Sequence, residues 1–352
     1  METLMTTVTK VFFDKTLDGR DVHSYILDGG EGVCAHILDF GGIINKLLVT
    51  DKNGKTINTV LGYDTIKHYD KKGAYYGALI GRCANRIGKS RFTLDSKEYI
   101  LPANDKENQL HGGPLGFSHR IWDAKIGQDG SLTLSLDSPH MEMGYPGNVH
   151  VEVTYSLKSR ALEIRYSAVT DAPTVVNLTN HAYFDITGAG SGRTLDSVLW
   201  LDCDRMTDTD KELIPNGNIL PVCNTPYDFT TPKAIGKDID CDYNLLSFFN
   251  GYDTNYYKKD YDGTLAPIAS LKDPSNGLTM TVMTDLPCVQ LYTTNSVDED
   301  APDFSDGAKH TLHCGVCLET QYAPDCINSP DAESVILRPD ERFETVTSFV
   351  FN

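Results

Sequence analysis

The residues that could do chemistry in this chain are neutral hydrogen-bonding groups and a few carboxylates set among apolar neighbours. The stretch 177–184 reads Asn-Leu-Thr-Asn-His-Ala-Tyr-Phe. Taken as one strand, alternation puts Asn177, Thr179, His181 and Tyr183 on one face. Val176, Leu178, Ala182 and Phe184 fall on the other, with Asn180 the polar exception. An ordinary half-exposed strand shows water Lys, Glu, Thr and Ser. This one shows amides, a hydroxyl, an imidazole and a phenol, which suit a polyhydroxylated ligand. For His181 taken alone, a core histidine bonded to its neighbours is the alternative.

Residues 312–319 repeat the pattern. Leu312, Cys314, Val316 and Leu318 share an apolar face, and Thr311, His313, Gly315, Cys317 and Glu319 share the other. Glu319 ends this strand beside small neighbours, which leaves room next to a carboxylate. A solvated strand-end glutamate is the alternative. In 289–292, Val289 and Leu291 face one way, Gln290 and Tyr292 the other. Asn85-Arg86 adds an amide and a guanidinium. His111-Gly112-Gly113-Pro114 sets an imidazole at a glycine turn, where backbone can approach a ligand closely. Gly251-Tyr252-Asp253 adds a second carboxylate. Each has a structural alternative: an ion pair for Arg86, turn roles for His111 and Asp253, a strand amide for Gln290.

Two patterns resemble other sites and fail on inspection. Gly188-Ala189-Gly190-Ser191-Gly192 resembles a phosphate-cradling loop, but a strand rather than a helix is expected to follow it. His310, His313, Cys314 and Cys317 resemble a metal cluster. In a strand, positions three apart diverge, whereas zinc needs converging ligands. No metal site is expected there.

The elements that must position these groups are strands. Residues 33–39 and 43–49 flank a glycine pair; 92–94 and 99–101 read as a hairpin around 95–98. Further strand patterns are 121–126, 132–136, 149–157, 162–169, 198–201, 278–283, 289–293 and 343–351. The best short helical candidate is 65–69. Many strands with short polar turns and no αβ alternation predict an all-β sandwich or barrel. Residues 207–262, rich in Asp, Asn, Pro and Tyr, read as long loops. No linker or repeat divides the chain, so residues 1–352 are expected to form a single domain.

Composition narrows the function further. A net charge of −18 over 352 residues disfavours nucleic acid and anionic membranes as partners. Nine cysteines, an odd number in so long a chain, do not form a disulfide framework. The N-terminus lacks a signal-peptide pattern and no stretch approaches a membrane span. A reduced, cytoplasmic protein is expected.

Together the segments resemble the aldose 1-epimerases, or galactose mutarotases, over nearly the whole chain. The runs 81–87 (Gly-Arg-Cys-Ala-Asn-Arg-Ile) and 110–117 (Leu-His-Gly-Gly-Pro-Leu-Gly-Phe), followed by Trp122, are similar to that family's Asn-Arg and His-Gly-Gly motifs. Residues 177–185, 251–253, 289–293 and 319–321, the last followed by Pro324-Asp325 and Asn328, are similar to its segments for the acid His, a binding Asp, a Gln strand and the catalytic Glu. The resemblance implies a large β-sandwich of the galactose mutarotase type with the sugar on a concave sheet face. It implies that free aldoses such as galactose and glucose exchange between α and β anomers. Glu319 is implied as base, His181 as acid, and Asn85, Arg86, His111, Asp253 and Gln290 as substrate-binding. No cofactor and no metal is implied, and the implied partner is a monosaccharide substrate, with no nucleic acid and no membrane. Two positions depart from the family: Thr254 where His is usual and Thr294 where Gly is usual. Three rivals share parts of the pattern. A hexose-6-phosphate epimerase needs a cationic cluster, a non-catalytic sugar binder lacks the Glu–His pair, and a glycoside hydrolase needs two flanking carboxylates.

Overall fold

The computed structural model describes residues 6–69, 75–297 and 300–352. Strands dominate it. Among the described residues the α-helical segments are Ile66–Tyr69, inside the expected 65–69 stretch, and Asn244–Phe248.

A nine-stranded antiparallel sheet forms one layer. Edge to edge it runs Asp123–Ile126, Leu132–Ser138, Val149–Lys158, Ala161–Thr170, Phe343–Phe351, Thr279–Thr284, Ala266–Lys272, Val198–Leu201 and Lys233–Ala234. A six-stranded sheet faces it, ordered Tyr183–Phe184, Val316–Gln321, Cys288–Tyr292, Asp253–Lys258, Cys203–Thr209 and Pro215–Pro221. The N-terminal strands Thr7–Lys15 through Thr56–Asn58 make a five-stranded meander.

Alternation decides what lies between the layers. Val151, Val153 and Ile164 of the large sheet and Val289, Leu291, Val316 and Leu318 of the six-stranded one share a single buried cluster. Leu27, Ala35, Leu47 and Val49 of the meander join the same core. Phe184 packs on Phe349 with ring centroids 4.9 Å apart. The hydroxyls of Thr320 and Thr347 meet at 2.6 Å across the two sheets, which satisfies two buried polar groups in an apolar interior. The opposite face of the six-stranded sheet is therefore free to carry polar residues.

Several expectations need correcting. Residues 177–184 are not one strand. Thr179–Asn180 pairs with Leu79–Ile80, whereas Tyr183–Phe184 pairs with the Glu319 strand. The chain changes partner at His181, which has Ala182 between it and the second strand. Residues 207–262 are not loops throughout: the strand Cys203–Thr209 runs into them and the strands Pro215–Pro221 and Asp253–Lys258 lie within them, while most of 222–252 is irregular. The strand Asp253–Lys258 reads Asp-Thr-Asn-Tyr-Tyr-Lys. It escaped notice because one face is built of polar site residues, which erases the apolar alternation. Finally, the Glu319 strand begins at Val316 rather than 312. His313 sits in the left-handed region at φ 59°, so strand parity does not extend through 310–315. The hairpin at 91–100 has a tighter turn than expected, with only Asp95 and Ser96 between its strands. Both have positive φ, 48° and 64°, as a two-residue hairpin turn requires.

Candidate active site

Three neighbouring strands set the floor of the site. Asn255 lies opposite Gln290, and Gln290 opposite Glu319; one step along, Asp253, Tyr292 and Cys317 align in the same way. Side chains at these positions leave the core and share one face. The wall comes from the segments around 75–87 and 109–111, joined where Leu110 pairs with Arg86 and Gln109 with Ile87. Here Gly112 is required. Its φ is +80°, and a Cβ would lie 1.9 Å from the carbonyl oxygen of Gly81. The glycine turn lets the His111 loop press against the Asn85 loop.

Glu319, His181, Asn85, Arg86, His111, Asp253 and Gln290 all line one cavity of about 210 Å³. That is below the roughly 300–1,000 Å³ of drug-sized pockets and suits a small ligand. Larger cavities near Val176 and Phe343 and near Lys89 and Glu212 lack this convergence of groups.

At its centre, His181 Nε2 is 3.6 Å from Glu319 Oε1. Glu319 is only 2 % exposed, which overturns the solvated strand-end alternative: the strand continues to Gln321. Burial pushes the Glu319 carboxyl well above its ordinary value, the nearby Asp253 charge adds to this, and Arg86 opposes it. Burial also pulls the His181 imidazole down to about 4, offset in part by its own main-chain carbonyl. The ordinary imidazole value is about 6.5. Both shifts point the same way: burial favours the protonated carboxyl of Glu319 and the neutral imidazole of His181.

The surrounding groups are held firmly. The His181 ring is stacked between Tyr183, centroids 4.9 Å apart, and Tyr75, 5.8 Å apart. The amide N–H of Asn85 donates to His111 Nδ1 at 3.2 Å. Burial, His181 and Arg86 all push the His111 pKa well down. His111 is therefore neutral with its proton on Nε2, a donor toward the cavity. Asn85 takes positive φ, 58°, and its Oδ1 accepts the Arg86 N–H at 2.8 Å. Arg86 Nε donates to Asp105 Oδ2 at 2.8 Å. Gln290 Nε2 donates to Asp253 Oδ1 at 2.6 Å, and burial raises the Asp253 pKa. Glu319 Oε2 and Gln290 Oε1 are buried acceptors with no hydrogen-bond partner among the described residues. Buried polar atoms normally have partners, so these two acceptors call for donors from a ligand.

Other candidates resolve differently. Asn177 exchanges two hydrogen bonds with the main chain of Tyr322, at 3.1 and 3.0 Å, and Asn180 holds the carbonyl of Gly77 at 2.7 Å. Both are structural. His310 bonds the Tyr76 hydroxyl at 2.7 Å and His313 the carbonyl of Thr293 at 2.8 Å. The 188–192 loop folds back on Asp185, whose carboxylate accepts from the Thr187 hydroxyl at 2.6 Å and the Ser191 hydroxyl at 3.2 Å. Thr254 lines a small adjoining pocket with Tyr227 rather than the cavity. Thr294 has a φ of 50°, costly for a β-branched residue, and its hydroxyl donates to the Gly315 carbonyl at 2.8 Å. Tyr75 and Asp105 were missed, since no pattern in the sequence marks either.

His111, His181 and Glu319 could in principle meet a metal ion, their ligand atoms lying within 4.8 Å of one another. The hydrogen bonding argues against this. Nδ1 of His111 is already the acceptor for Asn85, so a metal at Nε2 would have to displace the ring's only proton.

The chain matches the aldose 1-epimerase family over residues 23–350. It is 36% identical over 350 residues to the galactose mutarotase of Sus scrofa, covering 99% of both chains. It is 28% identical over 341 residues to the aldose 1-epimerase of Escherichia coli K12, covering 95% of this chain and 96% of that one. Among solved structures, a galactose 1-epimerase from Lactobacillus acidophilus superposes with a TM-score of 0.85 at 25% identity. An aldose epimerase homologue from C. elegans superposes with a TM-score of 0.84 at 26% identity; in each case 99% of both chains is covered. With a family match over most of its length and full-length relatives at this identity, the chain belongs to the aldose 1-epimerase family.

Proposed function

We infer that this protein interconverts the α and β anomers of free aldoses such as galactose and glucose, with Glu319 as base and His181 as acid. The observation that carries the assignment of roles is the buried Glu319–His181 pair, 3.6 Å apart, in a cavity lined by hydrogen-bond donors and acceptors.

Ring opening removes the proton on the anomeric hydroxyl, breaks the bond between C1 and the ring oxygen, and places a proton on that oxygen. The carboxylate of Glu319 takes the first proton and Nε2 of protonated His181 gives the second. The aldehyde end then rotates about its bond to the next carbon, and the two transfers reverse. The pair begins as carboxylate and imidazolium and ends neutral. Burial favours the neutral form, so the site favours the state that coexists with the open-chain sugar. His111, with its Nε2–H, and Arg86 stabilise charge developing near the ring oxygen. Asn85, Asp253 and Gln290 hold hydroxyls. No carbon is oxidised or reduced overall and no group is transferred to a second molecule, so the reaction needs no cofactor.

Among the described residues that line the cavity Arg86 is the only cation, and Asp105 already pairs with it. This supports a neutral aldose over a sugar phosphate. The nine cysteines are unpaired, which supports a reducing, cytoplasmic setting. No helix among the described residues is long and apolar enough to cross a membrane. The shared core supports treating residues 1–352 as one domain. The test is an anomer-resolved rate on freshly dissolved α-galactose and α-glucose, with glucose 6-phosphate alongside. Acceleration of the neutral sugars over the buffer rate is expected. A clear preference for the phosphate would move the protein to the rival epimerase.

A further inference from the structure

We propose that Cys317 is a positioning residue for His181, its thiol accepting the Nδ1–H so that Nε2 is the nitrogen presented to Glu319 and the sugar. The inference rests on the reading of His181 as the acid. Sγ of Cys317 lies 3.5 Å from Nδ1 of His181, and Cys317 is fully buried. It stands two residues before Glu319 on the same face of the same strand and pairs with Tyr183 on the next. One strand therefore addresses both nitrogens of the imidazole.

The stacking of Tyr75 and Tyr183 fixes the plane of that ring. It does not distinguish the ring from its half-turn, because the ring is stacked on the same two tyrosines in either orientation. The edges decide that. A half-turn would set a carbon against the thiol and lose the Nδ1 contact. Proton accounting then assigns the direction of the bond. His181 gives up the Nε2 proton and takes it back on reclosure, so the proton it must keep throughout is the one on Nδ1. That N–H needs an acceptor at every stage, and sulfur is a weak but adequate one. Burial keeps the thiol itself un-ionised, with Glu319 and Asp253 adding to the effect, so the N–H does not pass to sulfur. The hydrogen bond held on one ring nitrogen sets the tautomer and so the function of the other.

Cys317→Ala and Cys317→Ser make the test, since they leave side chains of nearly equal size and differ by a hydroxyl. The parent, with histidine labelled in the ring nitrogens, is expected to show His181 protonated at Nδ1. The alanine variant should move that proton to Nε2 and lose about tenfold in kcat, the rate equivalent of one ordinary hydrogen bond, with KM nearly unchanged. The serine variant should restore both the tautomer and most of kcat. A tautomer that stays on Nδ1 in the alanine variant, or equal kcat in the two variants, would overturn the proposal. The nitrogen spectra need no substrate, so a parent without mutarotase activity would defeat the functional reading while the Cys317 contact is judged separately.

Discussion

The main-chain N–H of Asn85 donates to Nδ1 of His111 at 3.2 Å. This one bond converts an imidazole that could accept, donate or ligate into a dedicated donor. In the role proposed for His111, a neutral donor near the sugar ring oxygen contributes when charge develops there. Replacing His111 with Ala should lower kcat by about 10²-fold, the loss seen when one such donor is removed. Steady-state kinetics check this. A change confined to KM would place His111 on a hydroxyl remote from the reacting atoms.

The same bond bears on metals. With Nδ1 of His111 engaged, the trio of His111, His181 and Glu319 is built for protons rather than for a cation. Exhaustive chelation is expected to leave the mutarotation rate unchanged. Loss of activity on chelation, recovered by added zinc, would contradict this.

The pair of Glu319 and His181 needs one proton. Because burial raises Glu319 and lowers His181 to about 4, the one-proton state spans a wide range of pH. Below it the pair holds two protons and has no base; above it the pair holds none and has no acid. The limbs belong to the pair and not to either residue. The profile of kcat/KM, which reports the free enzyme, should stay level down to about pH 5 rather than fall through the ordinary imidazole value of about 6.5. An acid limb near the ordinary value would show that His181 is less desolvated than its surroundings imply.

Burying Glu319 also has a cost in stability, and its sign follows from linkage. The folded carboxyl has a raised pKa, so between the unfolded value and the folded one the native state binds more protons than the unfolded state. Stability from this group is therefore full below the unfolded value of about 4.3 and falls as pH rises through the window up to the folded value. Glu319→Gln removes that slope. The variant should melt higher than the parent at pH 8, with the gap closing toward about pH 4.5. Melting curves across pH check this; a variant that melts lower at pH 8 would contradict it.

The parts of this site that the sequence displayed are those where strand alternation survives. Gln290 and Tyr292 oppose Val289 and Leu291, and Cys317 and Glu319 oppose Val316 and Leu318, because one face meets an apolar core and the other a sugar-sized cavity. Asp253 was visible only as part of a short motif, since its strand carries polar residues on one face and only Tyr256 of the other joins the apolar core. His111 and Asn85 depend on positive φ and a mutual hydrogen bond between two loops, which leave no periodic trace; residue type and the glycine turn made them candidates, and the family resemblance gave them roles. His181 was found for a reason that proved too simple. It lies where the chain leaves one strand partner for another, so its direction follows from tertiary pairing and not from alternation. Tyr75 and Asp105 were invisible because a ring stacked on His181 and a carboxylate paired to Arg86 are contacts made across long separations.

The central claim is that Glu319 is the base and His181 the acid. The direct measurement is the initial rate at which fresh α-galactose equilibrates, followed by polarimetry and corrected for spontaneous mutarotation in the same buffer. Glu319→Gln keeps the shape and hydrogen bonding of the side chain and removes the base; His181→Asn removes the acid. Each purified, folded variant is predicted to lose at least about 10²-fold in turnover, the usual contribution of a positioned general acid or base, while calorimetry still shows galactose bound. Folded Glu319→Gln protein that turns galactose over within a few-fold of the parent would contradict the account.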